Sequence, residues 1–449
     1  MLNQLPTVID VQDNLKTLVT DILAEATRQG ASSAEAEITS SSGLSVSVRL
    51  GEVETIEHIR DRDLGVTVYF GKKKGSASTT DFSQKAIKKT VQAARTIARY
   101  TSDDSYAGLA DPDRMATDMP DLDLYHPWEL EPETAITIAI ASENAAREFV
   151  DTRITNSDGS SVNWHQGTHV YGNTHGFLGV YSGTRHSIDC AVIAGSGPEM
   201  QRDGWYTSAR DPADLEDTKT IGVKAAEKAI ARLNARQITT QTTPVVFQAE
   251  IATGLFGHFL SAISGGMLYR KSSFLLDHLG KQVFPEFIRI HEQPHLPKGP
   301  GSTTFDNEGV ATKVRDVVTD GVLQGYMLGS YSARKLGMET TGNAGGAHNL
   351  TVEPNAQDLA DILHEMGTGL LITELMGSGV NIVTGDYSRG ASGFWIEGGK
   401  IEFPVQEITI AGNLRNIFLG IRRIGNDMEK RGNIRTGSVL VEEMTVAGS

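Results

Sequence analysis

Cysteine is almost absent from this 449-residue chain, and the single one, Cys190, excludes an internal disulfide. It sits in the apolar run Ile188 to Ile193, where an inert buried thiol in a reducing compartment is expected. Proline is scarce, 14 residues against 47 glycines, which favours turn-rich β structure over disorder. No apolar run approaches the roughly 18 residues needed to cross a bilayer, and the N-terminus MLNQLPTVIDVQDNL lacks the basic start and apolar core of a secretion signal. The reading is a cytoplasmic protein without a membrane segment. Positive charge is in deficit as well: 41 basic against 56 acidic residues leave a net charge of −15, which opposes direct binding of nucleic acid. The one basic run, Lys72 to Lys74, lies between Gly71 and Gly75 and reads as the solvated tip of a hairpin.

The chain is too long for one ordinary core, so two domains are expected. From Asp13 to Gln29 apolar residues recur at helical spacing and Gly30 follows as a stop. The alternating runs Leu44/Val46/Val48/Leu50 and Leu64/Val66/Val68/Phe70 predict antiparallel strands joined by glycine- and charge-bearing turns. A helix over Ser83 to Tyr100, a surface connection from Thr101 to Pro132, a helix to Phe149, strands from Arg153 to about Ala209 and a helix over Leu215 to Leu233 follow. The polar stretch NARQITTQTT then marks a boundary, dividing residues 1–235 from residues 236–449. The second half carries apolar runs at Val245 to Phe247, Val314 to Val318, Leu370 to Leu375 and Val439 to Val441. Helices are expected over Glu250 to Ile263, Ala356 to Met366 and Leu414 to Ile421. The fold class is therefore α+β: a mixed α/β N-terminal domain followed by a β-rich C-terminal domain.

Histidine pairs offer no metal site. His165 and His169 fall in a strand pattern, where four residues span about 13 Å, too far for two ligands of one zinc. His291 and His295 flank Pro294, which opposes a shared helix. His364-Glu365 would open a zinc-protease helix, but position 368 is Thr368 rather than a second histidine. Nucleophile motifs are equally thin. No serine stands in G-x-S-x-G, and Ser332 with Lys335 forms only an isolated S-x-x-K, so a serine hydrolase is a minor rival. Neither a P-loop nor G-x-G-x-x-G occurs.

Long glycine-rich segments remain: GHFLSAISGG (257–266), RKSSFLLDHLGK (270–281), SYSARKLG (330–337), GTGLLITELMGSGVNIVTGDYSRGASGFW (367–395), EITIAGNL (407–414) and the closing GSVLVEEMTVAG. Together they resemble the TldD/PmbA family, also known as modulators of DNA gyrase, and most closely its PmbA or TldE branch. The resemblance covers nearly the whole chain. In the TldD branch it implies a zinc metallopeptidase whose HExxxH helix supplies two histidines and a glutamate, with a later cysteine as a further ligand. Here the matching helix carries His258, but the glutamate position is Phe259 and the second histidine position is Ile263, and the second half has no cysteine. What the resemblance implies for this chain is no catalytic residue, no metal and no cofactor of its own. The zinc would lie in a TldD-type subunit paired with it in a heterodimeric protease for small, unfolded or leader peptides. Expected cavity or substrate contacts are His258, Tyr269, Arg270, Lys271, Asp386 and Arg389. The rival reading is a non-enzymatic scaffold, a homodimer when alone, that binds peptides or another protein.

Overall fold

A computed structural model describes residues 7–448. The first half runs α1 (Val8–Arg28), β1 (Ser33–Arg49), β2 (Glu52–Phe70), β3 (Lys73–Thr79), α2 (Gln84–Tyr100), α3 (Pro132–Arg147), β4 (Ile154–Asn173), β5 (Leu178–Ala194), β6 (Gln201–Ala209) and α4 (Thr218–Ala231). Its strands form one antiparallel sheet in the order β3-β2-β1-β4-β5-β6. Even-numbered residues of β1 are buried: Ala34, Ala36 and Ile38 at one end, Leu44, Val46 and Val48 at the other. At the first end they pack with Val19, Ile22 and Val91 of α1 and α2, and at the second with Ala139 and Ala225 of α3 and α4. Alternation at a period of two thus places both helix pairs on one face.

Helix starts follow local chemistry. Thr7 and Asp10 form a capping box at α1, and Ser83 caps α2 through the backbone N–H of Ala86. The expected first helix therefore begins five residues earlier than its apolar periodicity suggested. The larger correction is at β2. The charged residues 52–63, expected to supply turns, continue the strand, and the tight turn is Leu50-Gly51 instead. Both turn residues have positive φ, and the buried carboxylate of Glu143 on α3 accepts hydrogen bonds from both of their N–H groups. Apolar alternation could not reveal this segment, because nearly all of its side chains are exposed. Beyond the reach of β3, which pairs with β2 only from Leu64 to Phe70, its outer edge is lined by charge, as unpaired edges commonly are. The lysine run splits between a turn at Gly71-Lys72 and the first residues of β3.

The second half runs β7 (Gln241–Phe247), α5 (Ala249–Ala262), α6 (Gly265–Tyr269), β8 (Ile290–Glu292), β9 (Arg315–Thr319), β10 (Val322–Leu323), α7 (Ser330–Leu336), β11 (Leu350–Val352), α8 (Leu359–Met366), β12 (Gly369–Met376), β13 (Asp386–Glu397), β14 (Lys400–Asn413), α9 (Leu414–Leu419), β15 (Ile421–Ile424), β16 (Ile434–Arg435) and β17 (Val439–Ala447). One sheet orders β10-β9-β8-β11-β16 and the other β14-β13-β12-β7-β17-β15. An additional β14–β17 pairing, Ile410 opposite Val446, closes the latter into a ring. The chain is α+β, with its second half built around two sheets. The main core there joins inward residues of the ring (Val245, Leu370, Ile408, Val441) to Leu255, Phe256 and Phe259 of α5.

Candidate functional site

Helix α5 leaves β7 inside the C-terminal core. Phe259 and, just past its end, Ile263 are 0% exposed, while the His258 side chain is only half-buried. Across from it stands β13. Tyr387 and Arg389, two residues apart, share one face of that strand, and the His258 and Tyr387 rings meet edge-on with centroids 6.0 Å apart. Burial and the nearby Arg389 guanidinium both hold the His258 imidazole below its usual pKa. Burial pushes the Tyr387 phenol up to about 12 against the opposing pull of Arg389. The Tyr387 hydroxyl and the Nε of Arg389 are both buried without a hydrogen-bond partner.

A peptidase zinc needs several imidazole, carboxylate or thiolate donors around one point. The groups beside His258 are a phenol and a guanidinium, the latter repelling a dication, and the motif positions Phe259 and Ile263 are spent on the core. Among the described residues no three His, Cys, Asp or Glu side chains gather as a metal set. The donor set at α5 does not fit zinc.

The other expected contacts are dispersed. Asp386 lies on the opposite face of β13 from Arg389, where Thr384 and Asn413 donate to its carboxylate and lower its pKa. Tyr269 packs edge-on against Tyr331 of α7, ring centroids 5.8 Å apart, and Arg270 folds back over Tyr269 with Nη1 donating to its hydroxyl at 3.1 Å. Lys271 is exposed and adopts a positive φ in the turn that ends α6. Of the expected set, the structure therefore brings His258 near Arg389 and, separately, Arg270 onto Tyr269, while Lys271 and Asp386 join neither pair. Ser332 and Lys335 do not form a dyad: the Ser332 hydroxyl donates to the Gly329 carbonyl, and the Lys335 ammonium lies over the rings of Tyr106 and Tyr331.

Sequence reasoning missed Tyr387, whose neighbours Asp386 and Arg389 drew attention by their charge. It also missed a cleft of about 630 Å³ between the two halves, lined by Glu35, Lys74, Tyr171 and Glu308. Glu35 is pushed up by burial, and the hydroxyls of Tyr69 and Tyr171 donate to it at 2.8 and 2.9 Å. Nothing in the alternating pattern of β1 separates Glu35 from Glu37, two residues on, which lines the same cleft with a more exposed side chain.

Comparison with known proteins defines the class. PmbA/TldA metallopeptidase models match three successive segments: domain 1 over residues 34–98, the central domain over 125–233 and the C-terminal domain over 240–448. The metalloprotease PmbA of Escherichia coli O157:H7 is 52% identical over 415 residues, covering 92% of each chain. A PmbA homologue of Haemophilus influenzae is 50% identical over 439 residues, 98% of this chain and 97% of its own. The TldD homologue of the same organism matches less, 26% over 255 residues, 50% of this chain and 52% of that one. The crystal structure of a Bacteroides thetaiotaomicron protein whose name refers to modulation of DNA gyrase superposes with a TM-score of 0.92 at 29% identity, covering 98% of this chain and 100% of that one. TldE from Thermococcus kodakarensis shares the fold at a TM-score of 0.83 and 21% identity, covering 96% of this chain and 100% of its own. The chain belongs to the PmbA/TldD metallopeptidase family.

Proposed function

We propose that this chain is the zinc-free, PmbA/TldE-type subunit of a two-chain metalloprotease that processes small, unfolded or leader peptides in the cytoplasm. The zinc and the catalytic glutamate belong to a TldD-type partner. The observation that supports this reading is the composition of α5, where one histidine faces a phenol and a guanidinium while the remaining motif positions fill the core. A peptidase that activates water on zinc needs the opposite arrangement, with donors converging on the metal and a carboxylate beside it. The role left to this chain is to complete the chamber around the partner's zinc and to hold substrate. An extended peptide added along a sheet edge would do so through backbone hydrogen bonds, without demanding a particular sequence.

Elemental analysis together with a peptide-cleavage assay tests this on the chain alone and after co-expression with a TldD-type partner. The expected outcome is a metal-free, inactive chain alone, and a co-purifying pair that holds zinc and cleaves. Stoichiometric zinc and cleavage by the isolated chain would overturn the reading. Failure of the pair to form or to cleave would favour the non-enzymatic scaffold.

A further inference from the structure

We propose that the cleft between the two halves binds a short peptide with free termini, its ammonium held by Glu308 and Glu35 and its carboxylate by Lys74. That the ligand is a peptide rests on the subunit reading; the demand for a zwitterion rests on the geometry of the cleft.

The cleft of about 630 Å³ adjoins a second cavity of about 460 Å³, and Glu35, Lys74, Ser76 and Glu308 line both. Spaces of this size suit small ligands. Their floor is the face of the first sheet opposite its helices, where Glu35 of β1 and Lys74 of β3 stand, and the second half supplies Glu308 and Tyr331. Opposite charges thus share one space without meeting. Among the described residues Lys74 makes no hydrogen bond or ion pair, and its ammonium lies 5.9 Å from the centroid of the Tyr69 ring. The carboxylates are fixed from behind: one Glu308 oxygen accepts the Ser330 N–H, and the two Glu35 oxygens accept the hydroxyls of Tyr69 and Tyr171. The second Glu308 oxygen is left without a donor among the described residues, and both carboxylates line open space. An ammonium carries three donors and no acceptor, which suits a point between two carboxylates. Its charge is wanted there as well, because burial and the nearby Glu308 both push the Glu35 carboxyl up. Glu37 and Asp63 extend the negative end along the larger cleft. At the other end Lys72 is partly spent on the Ala107 carbonyl, and Asp104 already accepts the Tyr331 hydroxyl and the Tyr106 N–H. Lys74 is therefore the cation with bonds to give, and a carboxylate is its natural acceptor. Ile97 and Ala110 add an apolar wall for a side chain. A ligand bearing both charges satisfies both ends at once, whereas a singly charged one leaves an end unanswered.

Calorimetry on the full-length chain at about pH 6.5, where a peptide amino terminus is charged, tests this with leucyl-alanine, its N-acetyl form, its C-terminal amide and free leucine. Leucyl-alanine should bind at least about tenfold more tightly than either capped form, each cap removing one charge-assisted contact. Glu308→Gln should weaken leucyl-alanine about tenfold while leaving the acetyl form unchanged, and Lys74→Gln should do so while leaving the amide form unchanged. Each variant thus erases only the discrimination made by its own charge, a pattern that general loss of structure does not produce. Both variants should also melt with the parent chain, since Lys74 is exposed and a glutamine at 308 keeps an oxygen for the Ser330 N–H. Free leucine carries the same two charges without a peptide bond, so leucine binding as tightly as leucyl-alanine would overturn the peptide as ligand. Equal affinity for the capped and uncapped forms, or either variant binding leucyl-alanine as well as the parent, would overturn the site. None of these results depends on whether a TldD-type partner cleaves, so failure of the site and failure of the subunit reading are distinguishable.

Discussion

Asp306 shows how a single side chain sets a boundary of the inter-half cleft. Its carboxylate accepts the backbone N–H groups of Glu308, Val310 and Ala344, holding the turn that presents Glu308, whose carboxylate in turn accepts the N–H of Ser330. Burial, opposed by those three donors, leaves its pKa near 6, above the ordinary 3.8. A carboxyl raised on folding contributes stability that is fully present below about 3.8 and is lost as pH rises through about 6. The stability difference between the parent chain and Asp306→Asn should therefore shrink between pH 4 and pH 7, by on the order of 2 kcal/mol. Above that window it should level off. Urea unfolding of both chains across the range measures it, and a difference independent of pH would show that Asp306 ionises in the folded chain as it does in solution. Cys190 illustrates the opposite outcome at this scale: burial pushes its thiol up to about 12, so it stays a packing residue, as its apolar sequence context implied.

At the scale of elements, glycines divide into those that permit contact and those that merely weaken a helix. A β-carbon on Gly222 of α4 would lie 2.1 Å from the Ser142 carbonyl oxygen of α3, so that pair of helices can approach only with glycine there. Gly254 of α5 has no atom within 4 Å of the same position. Gly222→Ala should destabilise by about 1–3 kcal/mol through forced separation of α3 and α4. Gly254→Ala should stabilise by about 0.5–1 kcal/mol through helix propensity. Paired denaturation curves check both signs. This contrast also marks the limit of what the sequence discloses. Periodicity revealed α1, α2, α5 and the buried ends of β1 and β2, because each has one face in a core. It could not reveal β2 across residues 52–63, where no face is buried, nor the pairing of β14 with β17, which joins segments set by tertiary closure. The same holds for the site. His258 and Arg389 were legible as charge or potential ligand in a glycine-rich context, whereas Tyr387 reads as an ordinary strand residue until its hydroxyl is found without a partner.

Across the whole molecule the halves are joined by arginines that reach over the boundary in both directions. Arg334 of α7 donates to the carbonyls of Gly108 and Leu109 in the connection between α2 and α3 and pairs with Asp111. Arg210, just past β6, donates to the carbonyls of Gly299 and Pro300 in the second half. Arg431 lies over the rings of Trp205 and Tyr206 of β6 while pairing with Glu250 and Glu429 of its own half. Arg334 and Arg210 each hold at least two loop carbonyls across the boundary, so removing either guanidinium strips those acceptors of a charged donor. Arg334→Ala and Arg210→Ala should each cost about 1.5–3 kcal/mol, the range for hydrogen bonds to charged groups. The sites share no partner residue, so the two costs should add. Because the lost contacts lie between the halves, the double variant should do more than melt earlier: calorimetry should resolve its unfolding into two transitions where the parent chain shows one. A single transition in the double variant, at the temperature expected from additive losses, would mean that the cleft interface around Glu35 and Glu308 couples the halves without the arginines.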